Sequence, residues 1–227
     1  SLGIDVRQQL GFYTPPNKAA SKPSILLGYA KTRLLLGKRT AKELANLPKL
    51  TNRRVIMARR MLELVGFDCW TAQPTLFPLI VYHNIKETLE YVSNPADTVS
   101  CNAFLGYGIL LCGVFGDPQR GRDMALASEL ILAKSPLPKI DSRCTFISQG
   151  CIFHWTSPLK DTIAPLLNGY KMGIKYGDIS STGVNQSLLV SHTYLAGCSL
   201  EETDKYTSLN FGLLTAESSD AIKHNLQ

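Results

Sequence analysis

Apolar residues along this chain recur at helical spacing, and no strand-like alternation or Asn-Gly hairpin signal competes with that pattern. The clearest stretch follows Ser157-Pro158. There Leu159, Ile163, Leu166, Leu167, Tyr170 and Ile174 share an arc of about 100°, while Lys160, Asp161, Asn168, Lys171 and Lys175 lie opposite. A helix running to about Tyr176 is expected. The same reading predicts helices at Ser24–Leu36, Thr40–Leu47, Arg53–Val65, Pro74–Val92, Pro95–Phe115, 118–134, 139–153, 178–196 and 199–214. In the Arg53–Val65 helix, Val55, Ala58, Met61, Leu62 and Val65 form the inner arc, and Arg53, Arg59, Arg60 and Glu63 the outer one. The second half of Pro95–Phe115 is apolar nearly all round, so that helix should be central, with Gly106 and Gly108 letting a neighbour approach.

Punctuation between these helices is regular. Gly37, Gly66, Gly177 and Gly197 suit positions just past helix ends, and Gly116-Asp117-Pro118 combines a stop, an N-cap and a first-turn proline. Ser157-Pro158 follows Asp117-Pro118 by 40 residues, and Ser199, with Glu202 at capping-box spacing, comes 42 later. First helices of pairs start near 53, 95, 138 and 178, and second helices near 74, 118, 158 and 200. The expected fold is all-α: an α-solenoid of antiparallel, tetratricopeptide-like helix pairs with a period of about 42 residues. Residues 1–21 read as a linker and 22–216 as the helical-repeat domain, with a basic part at 22–66 and pairs at 53–92, 95–134, 138–176 and 178–214. Residues 217–227 read as a frayed tail, and the opening Ser suggests an excised segment of something larger.

Composition narrows the class. With 44% apolar and 19% charged residues the chain reads as globular. Its longest apolar run, Ala103 to Phe115, spans about 20 Å as a helix, too short for a bilayer. Six scattered cysteines without a CxxC pair fit reduced thiols in a cytoplasmic protein. The net charge of +6 is uneven: residues 1–60 hold 13 Lys/Arg and 2 acids, and the remainder is net acidic. Such a basic head attracts anionic partners, although charge alone identifies none.

Candidate chemistry is sparse. Gly37-Lys38 would need Gly at 32 and Ser or Thr at 39 to complete a phosphate-binding loop, but Thr32 and Arg39 stand there. Gly106-Tyr107-Gly108 lacks the third glycine of a dinucleotide fingerprint. Cys151 and His154 sit one helical turn apart with Cys144 seven residues back, one ligand short of a closed zinc site. A buried cysteine beside a polar helix end is the favoured reading there. His83, His154, His192 and His224 have no nucleophile at a recognisable spacing, so no catalytic, cofactor or metal residue is assigned. A pocket uniting Cys151, His154 and another histidine would revive an enzyme reading. Trp70 and Trp155, each expected just past a helix end, read as packing residues. Arg53, Arg54, Arg59 and Arg60 are the interaction candidates, either as a solvated face or, less favoured, as phosphate contacts to nucleic acid.

Three stretches together resemble a known family: Leu76–Ala96, Tyr107–Leu132 and His154–Glu202. Their shared words are Leu-Phe-Pro-Leu, Cys-Gly-Val-x-Gly-Asp, His-Trp…Pro-Leu and Gly-Tyr-x-x-Gly-x-x-x-Gly-Asp. They look like the helical linker of large multidomain signalling proteins that combine a Ser/Thr-kinase-like domain, a predicted AAA/STAND-type ATPase and GAF/histidine-kinase modules. After Gly177-Asp178 this chain reads Ile-Ser-Ser-Thr-Gly, a departure from that pattern. The resemblance implies a non-catalytic scaffold or regulatory segment that contacts a protein or an adjacent domain and needs no cofactor. Nucleic-acid binding through the basic head is the runner-up.

Overall fold

The computed structural model describes residues 20–47, 52–72, 74–90, 98–134 and 138–209. These residues are helical with no strand among them, so the protein is all-α. The chain divides into two compact units, Ser1–Leu137 and Pro138–Gln227. Expectations for the linker 1–21 and for residues 210–227 fall largely or wholly outside the described residues.

The first unit contains α1 (Lys22–Leu36), α2 (Ala41–Leu44), α3 (Arg53–Ala72), α4 (Phe77–Glu90), α5 (Thr98–Gly113) and α6 (Pro118–Lys134). α5 is its centre, packed against α3, α4 and α6. Phe104, Leu105, Tyr107 and Leu111 of α5 are almost wholly buried, as the all-round apolar sequence requires. Gly106 gives α4 its close approach: a Cβ there would stand 3.0 Å from Val81. Local chemistry closes the helices. Gly37 and Gly116 take positive φ, Asp117 accepts the Arg120 N–H, and Thr40 with Glu43 forms a reciprocal capping box.

Two expectations in this unit need correction. α3 passes through Gly66 and ends at Ala72, so Trp70 lies within the helix rather than after it. Arg59 is not on the outer face; it is fully buried, and its guanidinium donates to the hydroxyls of Thr88, at 2.6 Å, and Ser100, at 3.4 Å. The buried face of α3, carrying Val55, Ala58, Arg59 and Leu62, is rotated by about 40° from the arc chosen on apolar content alone. Arg53, Arg54 and Arg60 are exposed.

In the second unit α7 (Pro138–Thr145) runs into a π-helical segment, Phe146–Ile152, and 3₁₀ turns at Phe153–Trp155 and Leu159–Thr162. α8 (Ile163–Tyr176), α9 (Ile179–Leu195) and a helix at 200–209 follow. A single α-helix over 139–153 and a helix starting at Pro158 were both expected. Pro158 is instead extended, with ψ of 138°, and α helix begins five residues later. Gly150 lets α9 meet the wide π turn, because any Cβ there would collide with Leu188. The Gly177-Asp178 stop-and-start holds: Gly177 is left-handed, and Asp178 accepts the Ser181 N–H. Ser199 likewise accepts the Glu202 N–H.

Candidate functional site

The unusual part of the molecule is α9. Between Ile179 and Leu195 it carries no Lys, Arg, Asp or Glu. Its buried positions are Ser181, Thr182, Asn185, Gln186, Leu189, His192 and Thr193, a helical stripe in which only one residue is aliphatic. Its exposed positions include Ile179, Ser180, Ser187, Ser191, Tyr194 and Leu195, with Tyr194 60% and Leu195 70% exposed. Ordinary surface helices put apolar residues in and charges out. α9 has polar groups inside and an uncharged face outside.

The donors of this buried polar stripe are met by α7, by the helix at 200–209 and by carbonyls of α9 itself. The two N–H groups of the Asn185 amide are shared among three acceptors, the Ser142 carbonyl at 2.8 Å, the Ser142 hydroxyl at 3.0 Å and the Ser181 carbonyl at 2.8 Å. Gln186 donates to the carbonyl of Tyr206 at 2.9 Å. The amide nitrogens are paired, whereas Asn185 Oδ1 and Gln186 Oε1 are buried without a partner among the described residues, so this stripe carries a polar cost as well as a polar gain. Gly169 and Gly173, one turn apart on α8, leave room for Asn185 and Thr182; Asn185 Oδ1 faces Gly169 where a side chain would otherwise project.

A second polar cluster lies at the other end of the α9 stripe. His192 Nδ1 is 2.7 Å from the hydroxyl of Thr162, which in turn lies 2.7 Å from the Leu159 carbonyl. The hydroxyl has one proton; with that proton on the Leu159 carbonyl, His192 donates from Nδ1. The His154 ring stands 5.6 Å from that of His192, edge to face. Two of the four histidines are thus brought together, which no spacing in the sequence indicated. Cys151 is half-buried, with its thiol pushed up to about 11 by burial, and so is protonated at neutral pH. Among the described residues no group of three or more His, Cys, Asp or Glu could hold a metal ion. Trp155, beside His154, is 52% exposed.

Burial pushes the pKa of both histidines below the ordinary 6.5; His154 adds to the effect on His192, and the Gly150 carbonyl opposes it on His154. The unfolded chain therefore takes up these protons at higher pH than the folded one. This stabilisation is complete above about pH 6.5 and declines as the pH falls toward the folded-state values. Thermal melts of the second unit, followed by Trp155 fluorescence, should lose midpoint temperature from about pH 7 to pH 5, and His192→Gln should flatten that decline.

Of the arginine candidates, Arg53, Arg54 and Arg60 are exposed and Arg59 is buried. No helix of the described residues is long and apolar enough to cross a membrane. The fold and its polar sites define an all-α protein with a hydrogen-bonded helical core in its second unit. Comparison with protein-family models, with curated proteins and with solved structures gives no match.

Proposed function

We propose that this chain is a non-catalytic helical scaffold whose α9 outer face binds a protein or an adjacent domain of the same chain. The observation that carries the reading is the inverted polarity of α9. Exposed Ile179, Tyr194 and Leu195 with small uncharged residues between them suit a covered surface better than a solvated one. Ser187 and Ser191 each bond the carbonyl four residues back, at 3.0 and 2.8 Å, so their hydroxyls already have partners. Such a face tolerates desolvation by an incoming helix at little polar cost.

The finer architecture is a tetratricopeptide-like α-solenoid in a cytoplasmic signalling protein, where the scaffold relays between an upstream ATPase or kinase module and a downstream sensor. Differential binding along its helices would bias repeat-to-repeat rotation, and the chemistry would lie in the neighbouring modules. The sequence resemblance supports this context, and the polarity of α9 supports the contact.

Ser187→Glu with Ser191→Lys tests the contact at two exposed positions. Introduced into the intact parent protein, the pair should uncouple regulation while leaving its intrinsic ATPase or kinase activity in place. In isolation the variant should keep its helical circular dichroism and melting midpoint. Unchanged regulation in the parent removes α9 from the mechanism.

A further inference from the structure

The first unit holds a cleft of 760 Å³ between α1, the Gly37-Lys38 turn, the end of α5 and the start of α6. Tyr29 and the exposed Leu34 face it, above a floor of buried Leu36, Tyr107 and Leu111. Tyr29 is held by a parallel stack on Phe115, with ring centroids 3.8 Å apart and planes 12° from parallel. Three cationic side chains stand around this apolar lining: Arg33, Lys38 and Arg120. Asp117 is the single acid in the lining, and one of its oxygens already caps α6 by accepting the Arg120 N–H at 3.1 Å.

Two of the cations are positioned in advance. Arg120 donates from Nη2 to the Gly37 carbonyl at 2.7 Å, and Arg33 donates from Nη1 to the Tyr29 hydroxyl at 3.3 Å. None of the three makes an ion pair among the described residues. Solvated surface arginines are ordinarily mobile; here two guanidinium forks are tethered with donors to spare. Preorganised donors of this type favour bidentate recognition of an anion.

We propose that this cleft binds a small phosphate ester with a flat apolar body, the phosphate held by Arg33, Lys38 and Arg120 and the body lying on Tyr29 and Leu34. Charge and size together select this class. The lining carries three positive groups against one carboxylate, which suits a dianion. The volume lies within the range of ligand pockets and far exceeds that of a bare phosphate, so an apolar body is needed to fill it.

Titration calorimetry with phenyl phosphate, inorganic phosphate and phenol tests the assignment. Phenyl phosphate should bind about tenfold more tightly than either other probe, because only it engages both cations and lining. Arg33→Met with Lys38→Met should weaken phenyl phosphate about tenfold and leave the weak binding of phenol unchanged. Both residues are exposed, so the melting midpoint should hold; if the pair does lower it, Lys38→Gln alone is the variant to read. Equal binding of phenol and phenyl phosphate would show an apolar groove without anion recognition and overturn the proposal. Phosphate ester binding that survives the double variant would overturn it as well, and so would inorganic phosphate matching the ester.

Discussion

Gly173→Val is expected to abolish cooperative folding of the second unit, and Gly173→Ala to destabilise it by about 2–4 kcal/mol. A Cβ at Gly173 would collide with the Thr182 hydroxyl, stand 2.7 Å from the Ser142 hydroxyl and 3.2 Å from the Asp178 carbonyl oxygen. The carbonyl belongs to the residue that caps α9 and has little freedom to retreat. Moving α9 away instead separates Asn185 from Ser142 and leaves buried amide and carbonyl groups without partners, which adds to the steric cost. Gly183 is the control. Nothing lies within 4 Å of a Cβ there, so Gly183→Ala should be neutral or stabilising by up to about 1 kcal/mol through helix propensity. Denaturant unfolding read through Trp155, the tryptophan of the second unit, measures both. An unshifted midpoint for Gly173→Ala would mean that α8 and α9 are not in close contact.

Arg59→Ala should destabilise the first unit by about 3 kcal/mol, whereas Arg53→Ala and Arg60→Ala should each stay within about 0.5 kcal/mol. Arg59 is fully buried and joins α3 to α4 through Thr88 and to α5 through Ser100. Its removal opens a large cavity and takes the link between the three helices away. Thr88 retains its bond to the Asn84 carbonyl at 2.7 Å. Arg59→Lys should recover only part of the stability, because an ammonium is a compact donor and cannot reproduce the guanidinium fork. Unfolding read through Trp70, the tryptophan of the first unit, distinguishes the three positions. Equal effects at 53, 59 and 60 would return Arg59 to the surface.

What could be read in the sequence was chemistry that acts within a few residues. Gly37, Gly177 and Gly197 end helices because the left-handed turn is nearly free only for glycine, and Asp117, Asp178 and Ser199 begin them by accepting nearby N–H groups. The central place of α5 was legible for a similar reason, since an all-round apolar helix has no surface to offer water. Arg59 was misjudged because a wheel drawn from apolar residues excludes a charge whose partners lie 29 and 41 positions away. The α9 stripe was illegible in the same way. Asn185 resembles a surface residue until Ser142, 43 positions earlier, is known to meet it. The π turn at Phe146–Ile152 gave no local signal, and Gly66, a good terminator elsewhere, is carried through inside α3. Of the site residues, the pairing of His154 with His192 required the fold, since the Cys151 and His154 spacing was read as a buried cysteine beside a polar helix end.

The polar interior of the second unit also has a thermal consequence. Unfolding raises heat capacity through exposed apolar surface and lowers it through exposed polar surface. A core built from Ser142, Thr162, Ser181, Thr182, Asn185 and His192 releases less of the former and more of the latter than the core around α5. Its stability curve is therefore the flatter of the two, with a weaker dependence on cooling. Calorimetry of the chain should therefore assign the smaller heat-capacity step per residue to the second unit.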